Sequence, residues 1–204
     1  MPEISDPHEI ENKSFEIIEG LLAGMDLFGP QKAVVMRVVH ATADTDFASA
    51  MVFSEGSVEA GISAIRAGCK VITDVNMLKA GISSLDRAGR VSCRISDPVT
   101  AALAKESKTT RAATAMRLLA GDMKGAIVAV SNAPTALYEV MRLVREEGVR
   151  PALIVGVPVG FVGASESKEE LLGLLEVPFI TCRGRKGGSP VGAAIVNALI
   201  KLAG

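Results

Sequence analysis

The residues of this chain whose types and spacing suit chemistry are few. Of its two histidines, His8 lies in an acidic opening stretch, whereas His40 follows Arg37 by three residues. An imidazole and a guanidinium on one helical face can move a proton while a fixed positive charge holds an anionic substrate. The competing reading is a structural histidine bonded to Asp44, one turn further on. A second cluster, Cys182 to Pro190, sets Arg183, Arg185 and Lys186 among three glycines just before a helix begun by proline. Cations and free backbone amides at a helix start make an anion site, and the alternative is a solvated loop. Cys182 beside those cations is either partly thiolate or an ordinary residue at a strand end. The cluster does not meet the order GxxxxGK[ST], and no GxGxxG occurs, so nucleotide and dinucleotide binding lose their main support.

Two further loops are informative. Ser131-Asn132-Ala133-Pro134-Thr135 sits between an apolar run and a helix, where Asn132 either receives an acid group or simply caps the helix. The run from Val155 to Ser165 is apolar and rich in glycine, and forms either a pocket floor or a buried turn.

The elements that must position these residues follow from local signals. Asp6, Pro7 and Glu9 start a helix whose apolar stripe runs through Ile10, Ile17, Ile18 and Leu21, with Ser14 on the same stripe and so turned inward. Gly29-Pro30 starts a second segment, through Asp44, whose valines would also suit a strand. A helix is preferred because strand alternation would put Arg37 and His40 on opposite faces. Beyond Ser54, helical stretches alternate with short β-branched runs. Strands are predicted at Val71–Asp74, Val91–Ile95, Ala126–Val130, Ala152–Val155 and Phe179–Thr181, with helices over Ser54–Ala67, Asn76–Ala80, from Asp97-Pro98, Arg111–Ala120 and Pro134–Glu147. That alternation is the pattern of an α/β protein with an open, parallel sheet of about five strands covered on both faces, whose ligands sit at the carboxyl ends of the strands.

Composition removes other classes. The 204 residues are 49% hydrophobic and 22% charged, which suits one domain over residues 1–204. A net charge of -1 and an aromatic content of six Phe, one Tyr and no Trp argue against nucleic acid as a partner. The three cysteines form no CxxC, so neither a disulfide framework nor a thiolate metal site is expected, and a reducing cytoplasm fits best. The opening residues lack the pattern of a signal peptide, and the longest apolar run, Ala152–Ala164, is too short and too broken to cross a membrane.

Taken together, several short motifs in fixed order resemble the precorrin-8X methylmutase family of cobalamin biosynthesis over nearly the whole chain. They are Ser14-Phe-Glu-Ile-Ile18, Arg37-Val-Val-His40-Ala-Thr-Ala-Asp44, Asp74-Val-Asn-Met77, Thr110-Arg111, Asn132-Ala-Pro-Thr135-Ala-Leu137, Val157-Pro-Val-Gly-Phe-Val-Gly163 with Glu166-Ser-Lys168, and Gly184-Arg-Lys-Gly-Gly-Ser189. Ala43 and Ser131 depart from the pattern, which often has glycine at both positions. The resemblance implies a three-layer αβα, Rossmann-like fold and a homodimer with substrate near the subunit interface. It implies an isomerase that moves a methyl group from C-11 to C-12 of a corrinoid ring, with no redox cofactor or methyl donor consumed. It maps the proton donor or acceptor onto His40 and substrate contacts onto Ser14 and Arg37. Such a ring is wide and apolar with a fringe of carboxylates, so its site needs aliphatic walls and a rim of cations and amides. Arg37, Arg111, Asn132 and the Arg185-Lys186 loop are the expected rim, with Thr135 a further substrate contact. A corrinoid carrier without turnover is the alternative in another class.

Overall fold

A computed structural model describes residues 6–204; part of the opening stretch read above, residues 1–5, lies outside the described residues. Helices α1 (Pro7–Leu21), α2 (Gly29–Thr42) and the short α3 (Phe47–Ala50) lead into strand β1 (Met51–Phe53). Next come α4 (Ser57–Arg66), β2 (Val71–Thr73), α5 (Asn76–Gly81), α6 (Ser83–Arg87) and β3 (Val91–Ser92). The second half runs α7 (Pro98–Glu106), α8 (Arg111–Leu118), β4 (Ile127–Val130), α9 (Pro134–Glu147), β5 (Leu153–Gly156), α10 (Ala164–Leu172), β6 (Phe179–Cys182) and α11 (Ser189–Ala203).

Among the described residues the sheet has six strands in the order β1-β6-β5-β4-β2-β3. Only β1 is antiparallel to its neighbour; Val71, Ile127 and Leu153 lie in register across the parallel centre. Every residue of β2, β4, β5 and β6 is buried, as a sheet covered on both faces requires. Val71, Ile127, Ala129, Leu153 and Val155 face a layer built around α4 and α11, while Ile72, Val128, Val130 and Ile154 face α8, α9 and α10. Helix α2 packs on α11, and α1 packs on α2 as the outermost element of that side.

The segment from Gly29 is a helix because its valines are spaced for one: Val34, Val35, Val38 and Val39 are all buried. Three differences from the expectations have local causes. The sixth strand, β1, pairs along one edge and follows α3 without a break, so no turn signal marks where it starts. The strand expected at Val91–Ile95 stops at Ser92, where Arg94 turns to pair with Asp97. The stripe on α1 does not face the core: Ile18 is buried, but Ile10, Ile17 and Leu21 are 49%, 53% and 63% exposed, because α1 packs mainly on α2.

Helix α2 ends on Ala43 in the left-handed region, φ 53°. A Cβ there meets the following carbonyl and costs roughly 1–2 kcal/mol. Ala43→Gly is therefore expected to stabilise the chain by about 1 kcal/mol, part of the gain being offset by the freer unfolded chain. A urea melt with a higher midpoint at unchanged slope checks it; a lower midpoint contradicts it.

Candidate functional site

His40 sits in the last turn of α2 and is half-buried under α1. Two consecutive residues of α1 fix its ring. Ser14 Oγ lies 2.8 Å from Nδ1, and Phe15 stacks on the imidazole with centroids 5.0 Å apart and planes 10° from parallel. A hydroxyl both donates and accepts, so Ser14 can serve either tautomer of the ring. Among the described residues Nε2 has no hydrogen-bond partner, and Asp44 is not bonded to the ring. The structural-histidine reading through Asp44 thus fails geometrically, because Lys186 occupies that carboxylate.

Arg37, one turn back, also rests on Phe15, its guanidinium carbon 4.8 Å from the ring centroid. Its Nη1 pairs with Glu11 Oε1 at 2.8 Å, and that contact holds the Glu11 carboxyl below its ordinary value. Helix α1 lies along α2 so that a groove opens on each flank. One, about 390 Å³, is lined by Ser14, His40, Val39 and the exposed Ile10, Ile17 and Leu21. The other, about 560 Å³, is lined by Phe15, Met36, Arg37, Ala198 and Lys201. The two polar groups expected to work side by side open into neighbouring grooves, each of a size that suits a small-molecule site.

The remaining expected residues gather at the carboxyl ends of the parallel strands. The amides of Ser131, Asn132 and Ala133, at the start of α9, are taken by an internal acid: Asp74, at the end of β2, accepts from them at 3.0, 2.8 and 2.9 Å. Burial pushes the Asp74 carboxyl up, and the three amides work against that shift. An acid group does sit there, as the loop chemistry implied, but it belongs to the chain. The Asn132 side chain is exposed above it. Thr135 Oγ1 lies 2.7 Å from Thr110 Oγ1, joining the starts of α9 and α8, and Arg111 is exposed beside that junction.

The basic loop is likewise partly satisfied from within. Lys186 Nζ pairs with Asp44 at 2.6 Å and Asp46 at 2.7 Å, and Arg183 pairs with Glu169 at 3.2 Å. Arg185 has no carboxylate partner among the described residues and lies over Phe161, 5.8 Å from its ring centroid. Burial pushes the Cys182 thiol up, against the pull of Lys168, which favours the reading of an ordinary residue at a strand end. The Lys186 hydrogen bond holds the Asp44 carboxyl below its ordinary value, against desolvation. A depressed carboxyl contributes above its unfolded value and loses that contribution as pH falls through its folded one. An NMR titration should therefore find the Asp44 midpoint below that of a free aspartate, and Lys186→Ala should move it back up. An unmoved midpoint would show that the tie is absent in solution.

The structure thus joins Ser14 to His40 and Thr135 to Thr110, and joins Lys186 to the end of the His40 helix. Phe15, Asp74 and Lys168 were not singled out as separate parts of the site. Asp74 had a signal, an acid at a strand's carboxyl end, and Phe15 had its place beside Ser14; nothing in the order of residues marks Lys168 as enclosed. Among the described residues no cluster of three or more His, Cys, Asp or Glu side chains is set to hold a metal ion. No helix among them is long and apolar enough to cross a membrane.

Comparison with known proteins agrees across sequence and structure. Residues 9–202 match the precorrin-8X methylmutase family model. The chain is 45% identical to the cobalt-precorrin-8 methylmutase of Methanocaldococcus jannaschii, over 97% of this chain and 95% of that protein. It is 38% identical to the precorrin-8X methylmutase of Sinorhizobium sp, over 98% and 99%. The crystallised precorrin-8X methyl mutase of Thermus thermophilus superposes with a TM-score of 0.87 at 39% identity, covering 96% of each chain. Motif order, sheet topology and full-length similarity converge, and the chain belongs to the precorrin-8X methylmutase family.

Proposed function

We propose that this chain is the isomerase that moves a methyl group from C-11 to C-12 of precorrin-8X, or of its cobalt-containing counterpart, to give hydrogenobyrinate or cobyrinate. Family membership supports the reaction, and one observation carries its placement: an imidazole held by Ser14 and Phe15 at the wall of an aliphatic groove. In the shift the bond from C-11 to the methyl group breaks as the bond to C-12 forms. Every atom stays in the ring system, so the protein has to fix one tautomer and stabilise charge as it moves. His40 gives or accepts a hydrogen bond at that edge of the ring through Nε2, and Ser14 matches the tautomer at Nδ1.

Arg37 reaches a carboxylate arm from the neighbouring groove, which the breadth of the ring allows. Arg111, Asn132 and Thr135 meet other arms at the sheet's carboxyl edge. Lys186 takes part by exchanging one of its two aspartates for a substrate carboxylate. The exposed Ile10, Ile17 and Leu21 on the His40 groove support a homodimer in which a second copy covers the ring. One domain working in the cytoplasm fits the span of the family match and the three free cysteines.

The test is turnover. Purified protein is mixed with each ring form, the visible spectrum is followed, and the methyl position of the extracted ring is read by NMR. A ring with its methyl at C-12 supports the isomerase. A tightly bound ring with its methyl still at C-11 would instead make the protein a carrier.

A further inference from the structure

Lys168, on α10, is 1% exposed and, among the described residues, the bulkiest fully enclosed side chain. A lysine is rarely buried without a carboxylate, and among the described residues none lies within ion-pair distance of this one. Instead Nζ donates to the Lys186 carbonyl at 2.6 Å and lies 3.7 Å from Cys182 Sγ, which itself lies 3.3 Å from the same carbonyl. The carbonyl belongs to the middle of the basic loop.

That loop is fastened elsewhere by backbone. Gly188 N–H donates to the Val157 carbonyl at 2.9 Å, and Gly160 N–H to the Arg185 carbonyl at 3.2 Å. At Gly187, φ 157°, a Cβ would stand 2.3 Å from the Val157 oxygen, so only glycine lets the two loops close. Between these fixings the Lys186 side chain reaches Asp44 and Asp46, just past the end of α2. A continuous run of contacts therefore links the inside of α10, through one residue of the loop, to the end of the helix that carries His40.

We propose that Lys168 is a positioning residue for the methyl shift: by holding the Lys186 carbonyl from inside, it sets the loop shape that lets Lys186 brace the end of the His40 helix. This rests on the assignment of His40 to the reacting edge of the ring. Without the inner hydrogen bond the loop keeps its glycine hinges but loses the anchor at its centre. Lys186 then no longer holds Asp44 at the end of that helix, and the imidazole is held less well.

A double-mutant cycle on kcat/KM tests this with Lys168→Met, which keeps the apolar stem but not the donor, and Lys186→Ala, which keeps the carbonyl but not the brace. Each single variant is expected to lose activity, Lys168→Met mainly in kcat and Lys186→Ala in KM as well, since Lys186 also meets a substrate carboxylate. The double variant should lose less than the product of the two losses, by at least about threefold. Losses that multiply, a wild-type kcat/KM in Lys168→Met, or a loss that merely follows the folded fraction would overturn the assignment. If Lys168→Met does not fold, Lys168→Gln takes its place in the cycle, with a smaller loss because its amide keeps a donor. Failure of both to fold makes Lys168 a determinant of the fold and also overturns the proposal. Full activity in His40→Ala is a separate failure: it would displace the histidine, while the cycle would still report whether the two lysines are coupled.

Discussion

His40→Ala is expected to slow the methyl shift about 10²–10⁴-fold, the usual contribution of a positioned acid or base, without unfolding the protein. The ring is half-buried and its one hydrogen bond is to a hydroxyl, so its removal leaves Ser14 free to bond water. Binding of the corrinoid should change little by comparison, because the groove walls are aliphatic and stay in place. Single-turnover absorbance separates the two effects. Ser14→Ala should fall between wild type and His40→Ala, since the imidazole keeps its stacking on Phe15 but loses the partner at Nδ1. Undiminished rearrangement in His40→Ala would remove the histidine from the mechanism.

Asp74→Ala is expected to cost the fold more than any substitution in the grooves. The carboxylate accepts three backbone amides at the start of α9, and Ser131 Oγ lies 3.4 Å away. Removing the acceptor strands donors that cost roughly 1–3 kcal/mol each when buried, so a loss of about 3–5 kcal/mol is expected, tempered where water reaches Asn132. Asp74→Asn, which keeps an acceptor, should lose less. Thermal or denaturant unfolding gives the values, and a loss within about 1 kcal/mol of zero would mean that the amides find other partners. The effect also bears on function, because these amides fix the loop that presents Asn132 and Thr135.

What could be read in the chain, and what could not, divides along physical lines. The helix and strand alternation is written in apolar runs that must be buried on both faces, and β4, β5 and β6 fell close to where those runs lie. Helix starts were visible because caps and prolines act locally: Asp6 does accept the amides of His8 and Glu9. The stripe on α1 misled because periodicity marks an apolar face without saying what covers it. Charges were harder still. Lys186 looked like a free cation, yet its partners lie 140 or more residues away along the chain, where only the folded sheet brings them together. Lys168 stands in one of the short motifs, but its burial was not legible, since a lysine in an acidic helix reads as solvated. Arg37 and His40 do share the face of α2 that α1 covers, but spacing on one helix could not show that α1 would lie between their two grooves.

The central claim places the reacting edge of the corrinoid at the His40 groove, and a crystal structure of the protein with its rearranged product bound addresses it most directly. The expected complex has the ring against Ile17 and Leu21, its C-11 and C-12 edge within hydrogen-bond reach of His40 Nε2, and a carboxylate arm turned toward Arg37. A ring seated away from α1, or seated there with that edge pointing elsewhere, would contradict it.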